Sequence, residues 1–177
     1  IEIIDGGIVP ALEIVGKGFE KGSVFLPQLL MAAEAAGAAF DVVRAALPAQ
    51  EKGSVKGPVV IATVKGDIHD IGKNICRALL ENYGFKVIDL GRDVPPETVV
   101  AAARREKARL VGLSALMTTT VGAMAETVRL VHEELPGCKV TVGGAVLTAD
   151  YAAKIGADNY SKDAMGLVRY AESLFAT

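Results

Sequence analysis

The sequence predicts an α/β fold: a five-stranded parallel sheet with helices on both faces, preceded by a small all-α region. Two observations predict it. From residue 58 onward, short apolar runs alternate five times with longer segments of helical period, the pattern of parallel strands joined by crossover helices. In residues 8–46, by contrast, the apolar positions recur at helical spacing.

Taken in order, residues 8–20 read as a helix because Ile8, Leu12, Val15 and Phe19 recur at spacings of three and four. Residues 26–46 read as a second, Ala-rich helix around Leu29, Leu30, Ala33 and Ala36. The stretch from Pro48 to Gly57 is polar, contains glycine and has no periodic apolar pattern, so it reads as a connection. The chain accordingly divides into a helical domain at 1–50, a linker at 51–57 and an α/β domain at 58–177. The first strand, 58–64, is the run Pro58-Val59-Val60-Ile61-Ala62-Thr63-Val64, apolar and β-branched as in a strand buried on both faces. Further strands are expected at 86–90, 109–114, 139–142 and 157–160. The intervening helices are expected at 72–82, 96–107, 120–135, 148–155 and 163–175.

Composition removes several classes of function. With 177 residues, 51% hydrophobic and 23% charged, the chain can bury a substantial core and is not disordered. Nineteen basic against 21 acidic residues leave a net charge of −2, which offers no electrostatic footprint for nucleic acid or an anionic membrane. No run approaches the roughly 20 apolar residues of a spanning helix. The amino end, with Glu2 and Asp5, lacks a basic-then-apolar secretory pattern, so a cytoplasmic location is expected. Ile1 in place of an initiator Met leads us to expect residues ahead of it in the natural product. Cys76 and Cys138 are too far apart for a C-x-x-C pair and are expected to be reduced and packed in the core.

The chemistry centres on Asp67, His69 and Gly72, within Lys65-Gly66-Asp67-Ile68-His69-Asp70-Ile71-Gly72-Lys73. His69 falls just past the carboxyl end of the first strand, the edge at which open α/β sheets bind ligands. An imidazole offers one nitrogen to a metal, and its other N–H needs a partner that fixes tautomer and orientation, a role suited to Asp67. Gly72 lets the chain enter the next helix with nothing projecting toward a ligand. Taken alone, this pattern is more simply a loop histidine bonded to an acid at a helix entry. Two further elements change the balance. Ser114 and Leu116 end the run Leu110-Val111-Gly112-Leu113, and Gly143-Gly144 follow Lys139-Val140-Thr141-Val142. Residues 73 to 113, 41 positions, separate Gly72 from Ser114, and residues 117 to 142, 26 positions, separate Leu116 from Gly143. The combination resembles the cobalamin-binding signature shared by methionine synthase and the small corrinoid proteins of methyltransferase systems, and the resemblance covers the whole chain.

A flavodoxin-like strand order, 2-1-3-4-5, would make the first and third strands neighbours and bring Ser114 close to Asp67 as a tuning relay to His69. The resemblance implies cobalamin and its cobalt, as methylcobalamin and cob(I)alamin in turn, with His69 replacing the cofactor's own base as lower ligand. It carries Asp67, Ile68, Asp70, Ile71, Gly72, Ser114, Leu116, Thr118, Gly143 and Gly144 as cofactor contacts, the displaced nucleotide tail lying along Ser114, Leu116 and the two glycines. Thr120 is expected to cap the helix that follows it. In the resembled family a helical domain shields the upper face of the corrin; Phe25, Leu26 and Leu29 are the candidates here. This cap shows two helices where a four-helix bundle is usual, so it is either truncated or completed by another chain. The implied role is a non-catalytic carrier of methyl groups between methyl-donor and methyl-acceptor methyltransferase proteins, with a homo-oligomer left open. His132 is expected to be exposed and is assigned no chemistry.

Other readings fit less well. A cobalamin-binding mutase subunit would lack the fused helical region. A cobalamin-sensing regulator would add a basic DNA-binding segment. A phospho-receiver needs an Asp where Ser114 stands, and no G-x-G-x-x-G follows any predicted strand.

Overall fold

The computed structural model describes residues 3–46 and 56–175. The chain forms two compact units, Ile1–Glu51 and Lys52–Thr177. In the first, a π-helical turn at Ile4–Ile8 runs into α1 (Val9–Glu20), whose Pro10 sits in the first turn, where its missing N–H is no loss. Gly22, at φ 73°, turns the chain toward α2 (Leu26–Ala46). Phe25 is 68% exposed. Leu29 is half-buried, and the side chain of Leu26 lies outside what the structure describes. Of the expected linker, residues 51–55 lie outside the described residues, whereas Lys56 and Gly57 belong to the first strand.

The second unit contains β1 (Lys56–Thr63), α3 (Ile71–Asn82), β2 (Phe85–Asp89), α4 (Pro96–Glu106) and β3 (Leu110–Ser114). It continues through α5 (Val121–Glu134), β4 (Lys139–Gly143), α6 (Ala149–Lys154), β5 (Asn159–Tyr160) and α7 (Ala164–Phe175). All ladders are parallel, and the strand order is β2-β1-β3-β4-β5, as expected. β1 therefore has a neighbour on each side. Val60, Ala62, Val111, Leu113, Val140 and Val142 are buried in one core with Val99, Val100, Met124 and Val128 of α4 and α5. The opposite face is the one toward which Gly112 looks: a side chain there would meet Ile61, Thr141 and Leu167.

Two strand ends depart from the expected pattern. β1 begins at Lys56, which pairs with Phe85 and donates its N–H to the Gly84 carbonyl at 2.9 Å, and the Phe175 ring fills the space beside Gly57, where a Cβ would lie 2.4 Å from the ring. β5 is only Asn159–Tyr160; just before it the Asp158 N–H donates to the Val140 carbonyl at 2.9 Å, while the Val140 N–H goes to the Asp158 carboxylate at 2.8 Å. The same carboxylate accepts from Lys139 at 2.8 Å and contacts His132 Nε2 at 2.8 Å, so His132 is half-buried in an ion-pair cluster. Cys138 is buried and Cys76 partly so; burial pushes both thiols up, to about 11 and about 12, far from a reactive range. Among the described residues, no helix is long and apolar enough to cross a membrane.

Candidate functional site

The site starts where β1 ends. Val64 still bridges Val94, and the chain then reverses through Lys65 and Gly66, the latter at φ 84°, with the Asp67 N–H closing the turn on the Val64 carbonyl at 3.0 Å. A left-handed glycine there is the cheapest way to turn the chain back over the sheet edge. The next four residues, Asp67 to Asp70, are irregular, and α3 begins at Ile71.

Asp67 is fully buried and makes every bond a carboxylate can use. Its Oδ1 accepts the His69 backbone N–H at 3.0 Å and lies 2.8 Å from His69 Nδ1. Its Oδ2 accepts from the backbone N–H of Leu116 at 2.7 Å and of Met117 at 3.2 Å, and from the Thr120 hydroxyl at 3.0 Å. Burial by itself would push this carboxyl up, but the hydrogen bonds from His69, Leu116 and Thr120 outweigh it and hold the group well below the usual carboxylate range. An ionised carboxylate only accepts, so Nδ1 of His69 is the donor in this pair, and Nε2 is the nitrogen that can offer a lone pair to a metal. That nitrogen makes no hydrogen bond among the described residues, and the His69 side chain is 45% exposed.

The hydroxyl that reaches Asp67 is that of Thr120, and this corrects two expectations. Ser114 instead pairs with Thr63, Oγ to Oγ1 at 2.9 Å, because the parallel register sets those two residues side by side on β1 and β3. Thr63 Oγ1 also lies 3.3 Å from the His69 carbonyl, so Ser114 is linked to the backbone of His69 and not to its ring through Asp67. Thr120 makes no side-chain cap bond to α5; it is buried at the end of a short 3-10 turn, Thr118–Thr120, with its hydroxyl 2.8 Å from the Met117 carbonyl and 3.0 Å from Asp67. One hydroxyl proton serves one of these acceptors at a time. The spacing of six between Ser114 and Thr120 is a signal sequence reasoning had in hand, but nothing in it said which hydroxyl faces the acid.

The other expected positions fall at the same sheet edge. Ile68, Ile71 and Leu116 are large apolar side chains left exposed beside His69. Asp70 precedes α3 and takes the Asn74 N–H at 2.8 Å on its carbonyl, while Thr118 is exposed. Gly143 pairs with Ser114 across the ladder, and a Cβ on it would lie 2.9 Å from the Ser161 carbonyl. Gly144, at φ 133°, is tighter still: a Cβ would stand 1.9 Å from the Ala115 carbonyl oxygen. The chain's own backbone therefore already demands both glycines. Gly72 is the reverse case, since its φ is ordinary and a Cβ would meet nothing within 4 Å. Nothing among the described residues requires glycine there.

Sequence reasoning also passed over Lys73. Its ammonium is 3% exposed and lies 2.7 Å from each oxygen of Asp89 and 2.8 Å from Asn74 Oδ1, tying the first turn of α3 to the end of β2.

The donor set suits a metal that brings most of its own ligands. Among the described residues, no group of three or more His, Cys, Asp or Glu side chains is placed to hold an ion. One oriented imidazole, an apolar rim and bare backbone at Gly72 fit the lower face of a macrocycle whose metal needs a single axial donor.

Comparison with known proteins identifies the family. Residues 57–169 match a family model described as a B12 binding domain, and residues 1–44 match a second model of that description. Dimethylamine corrinoid protein 1 of Methanosarcina mazei is 43% identical over 175 residues, 98% of this chain and 81% of the relative. The solved monomethylamine corrinoid protein of Methanosarcina barkeri superposes with a TM-score of 0.82 at 33% identity, covering 98% of this chain and 82% of that one. A methanol:cobalamin methyltransferase complex from the same organism gives a TM-score of 0.67 at 33% identity, covering 99% of this chain and 67% of its own.

Proposed function

The chain belongs to the B12-binding family of corrinoid proteins, and on that premise we propose that it carries a methyl group between a methyl-donor and a methyl-acceptor methyltransferase, holding cobalamin through His69. One observation supports this most directly: a half-exposed imidazole with Nδ1 held 2.8 Å from a buried carboxylate and Nε2 making no hydrogen bond among the described residues. Bound there, cobalamin supplies a cobalt centre able to take up and give up a methyl group.

The chain's own residues set the conditions. Asp67 keeps the proton on Nδ1 of His69, because a carboxylate held so low is too weak a base to remove it. The ligand is thus an imidazole whose tautomer and orientation are fixed through Nδ1 by an adjacent carboxylate, with Nε2 offered to the metal. Thr120 modulates that charge by donating its hydroxyl proton either to Asp67 or to the Met117 carbonyl. Ile68, Ile71 and Leu116 keep water from the ring, and Ser114, Gly143 and Gly144 sit where the displaced nucleotide would enter. The division into a cap at 1–50, a linker and a cofactor domain that opens with β1 at Lys56 is part of the same proposal.

Two measurements test it. In the cobalt(II) form, reconstituted with cobalamin bearing nitrogen-15 in its lower base, the electron paramagnetic resonance spectrum is expected to show nitrogen-14 splitting, and His69→Ala is expected to abolish it. Splitting from the labelled base in the wild-type chain would refute His69 as ligand. Gly72→Ala is expected to stabilise the ligand-free chain by up to about 1 kcal/mol, since alanine loses less entropy in a helix, and to weaken cobalamin binding. Unchanged cobalamin affinity in that variant would show that bare backbone at position 72 serves no ligand.

A further inference from the structure

Asp93, in the connection between β2 and α4, is held at φ 55°, and Lys107 is the other described non-glycine residue with positive φ. Lys107 has a local explanation, because it ends α4 as a left-handed cap with its N–H on Ala103 and Arg104. Asp93 ends no helix. Its bonds all point across to the turn that follows β1. The Asp93 N–H donates to the Asp67 carbonyl at 2.9 Å, and its Oδ1 accepts the Gly66 N–H at 2.7 Å. The next residue, Val94, bridges Val64 and donates its N–H to the Thr63 carbonyl at 3.1 Å.

The turn is confined from the other side as well, since a Cβ on Gly66 would lie 3.3 Å from Thr120 Cγ2. Asp67 is therefore fixed twice. Leu116, Met117 and Thr120 hold its carboxylate, and Asp93 holds its main chain. The left-handed conformation is what lets one residue present both its N–H and its carboxylate to the same turn, and Asp is among the few side chains that tolerate it. Strain of this kind persists where the surroundings over-determine it, and it clusters at functional sites.

We propose that Asp93 is a positioning residue for His69: by clamping Gly66 and Asp67 it sets the direction in which the Asp67–His69 pair presents Nε2. This rests on the reading of His69 as a metal ligand, but its test does not depend on bound cofactor.

Asp93→Gly keeps the backbone path and the bond to the Asp67 carbonyl, relieves the strain and removes only the acceptor for Gly66. Asp93→Asn keeps both the tolerance for positive φ and an amide oxygen in that place. In the ligand-free chain, the ring nitrogen-15 shifts of His69 are expected to report the Nδ1–H tautomer in wild type and Asp93→Asn, and a tautomer mixture in Asp93→Gly. The dissociation constant for cobalamin is expected to rise roughly tenfold in Asp93→Gly, the low end for lost partners of a metal ligand, and to return in Asp93→Asn. Wild-type ring shifts in Asp93→Gly would overturn the proposal, as would an equal defect in both variants or an Asp93→Gly chain that fails to fold by circular dichroism. Should the cobalt spectrum rule out His69 as ligand, the ring shifts still decide whether Asp93 orients it.

Discussion

Asp67→Asn is expected to lose about 2–4 kcal/mol of stability in the ligand-free chain and to weaken cobalamin binding tenfold to a hundredfold. The amide keeps one acceptor oxygen and turns an NH2 group toward one of two sets of donors: His69 N–H and Nδ1–H, or Leu116 N–H, Met117 N–H and the Thr120 hydroxyl. Each buried donor left without an acceptor costs about 1–3 kcal/mol, and partial compensation by Met117 O for the Thr120 hydroxyl limits the sum. The affinity loss follows from the freed tautomer, since partners of this kind are worth roughly that factor to a metal ligand.

Acid makes the same point through linkage. The folded-state pKa of Asp67 is depressed below its ordinary 3.8, so between the two values the unfolded chain binds more protons than the folded one. Its contribution is therefore complete above the unfolded value and is lost as pH falls through the folded one. Urea titrations of wild type and Asp67→Asn at pH 6 and pH 3 are expected to show the gap between them narrowing at the lower pH. A gap that stays constant would mean the carboxylate is not held by these donors.

Asp89→Ala is expected to be the more destructive change for the fold, at about 3–5 kcal/mol, while Lys73→Met costs less than about 1.5 kcal/mol. Removing Asp89 leaves a buried ammonium with only Asn74 Oδ1 at 2.8 Å. Removing the charge of Lys73 leaves Asp89 with the Gly91 N–H at 2.8 Å and Arg77 at 3.7 Å, so neither partner is stranded. A cation in the first turn of a helix opposes the helix dipole, which argues that Lys73 is placed by Asp89 and not by α3 itself. Equal destabilisation by the two substitutions, measured as denaturation midpoints with an unchanged urea dependence, would contradict this account.

The alternation of strand and helix, the strand order and the position of His69 at the sheet edge were all legible in the sequence, because they depend on local periodicity and on chain connectivity. Val59 to Ala62 form a buried inner strand for the reason their unbroken apolar run, β-branched at Val59, Val60 and Ile61, suggests. Asp67 and His69 are two residues apart, so their pairing needed no long-range information. What the tertiary structure decided are the contacts between loops distant in sequence. Parallel register sets Ser114 against Thr63, 51 positions away, and so leaves Asp67 to Thr120, 53 positions away. Asp93 reaches Gly66 across 27 positions, and Lys73 finds Asp89 across 16. Spacing can deliver residues to one sheet edge, but which hydroxyl or carboxylate faces which donor depends on loop paths of a few ångströms, and these are fixed only when the strands have paired and the helices have packed.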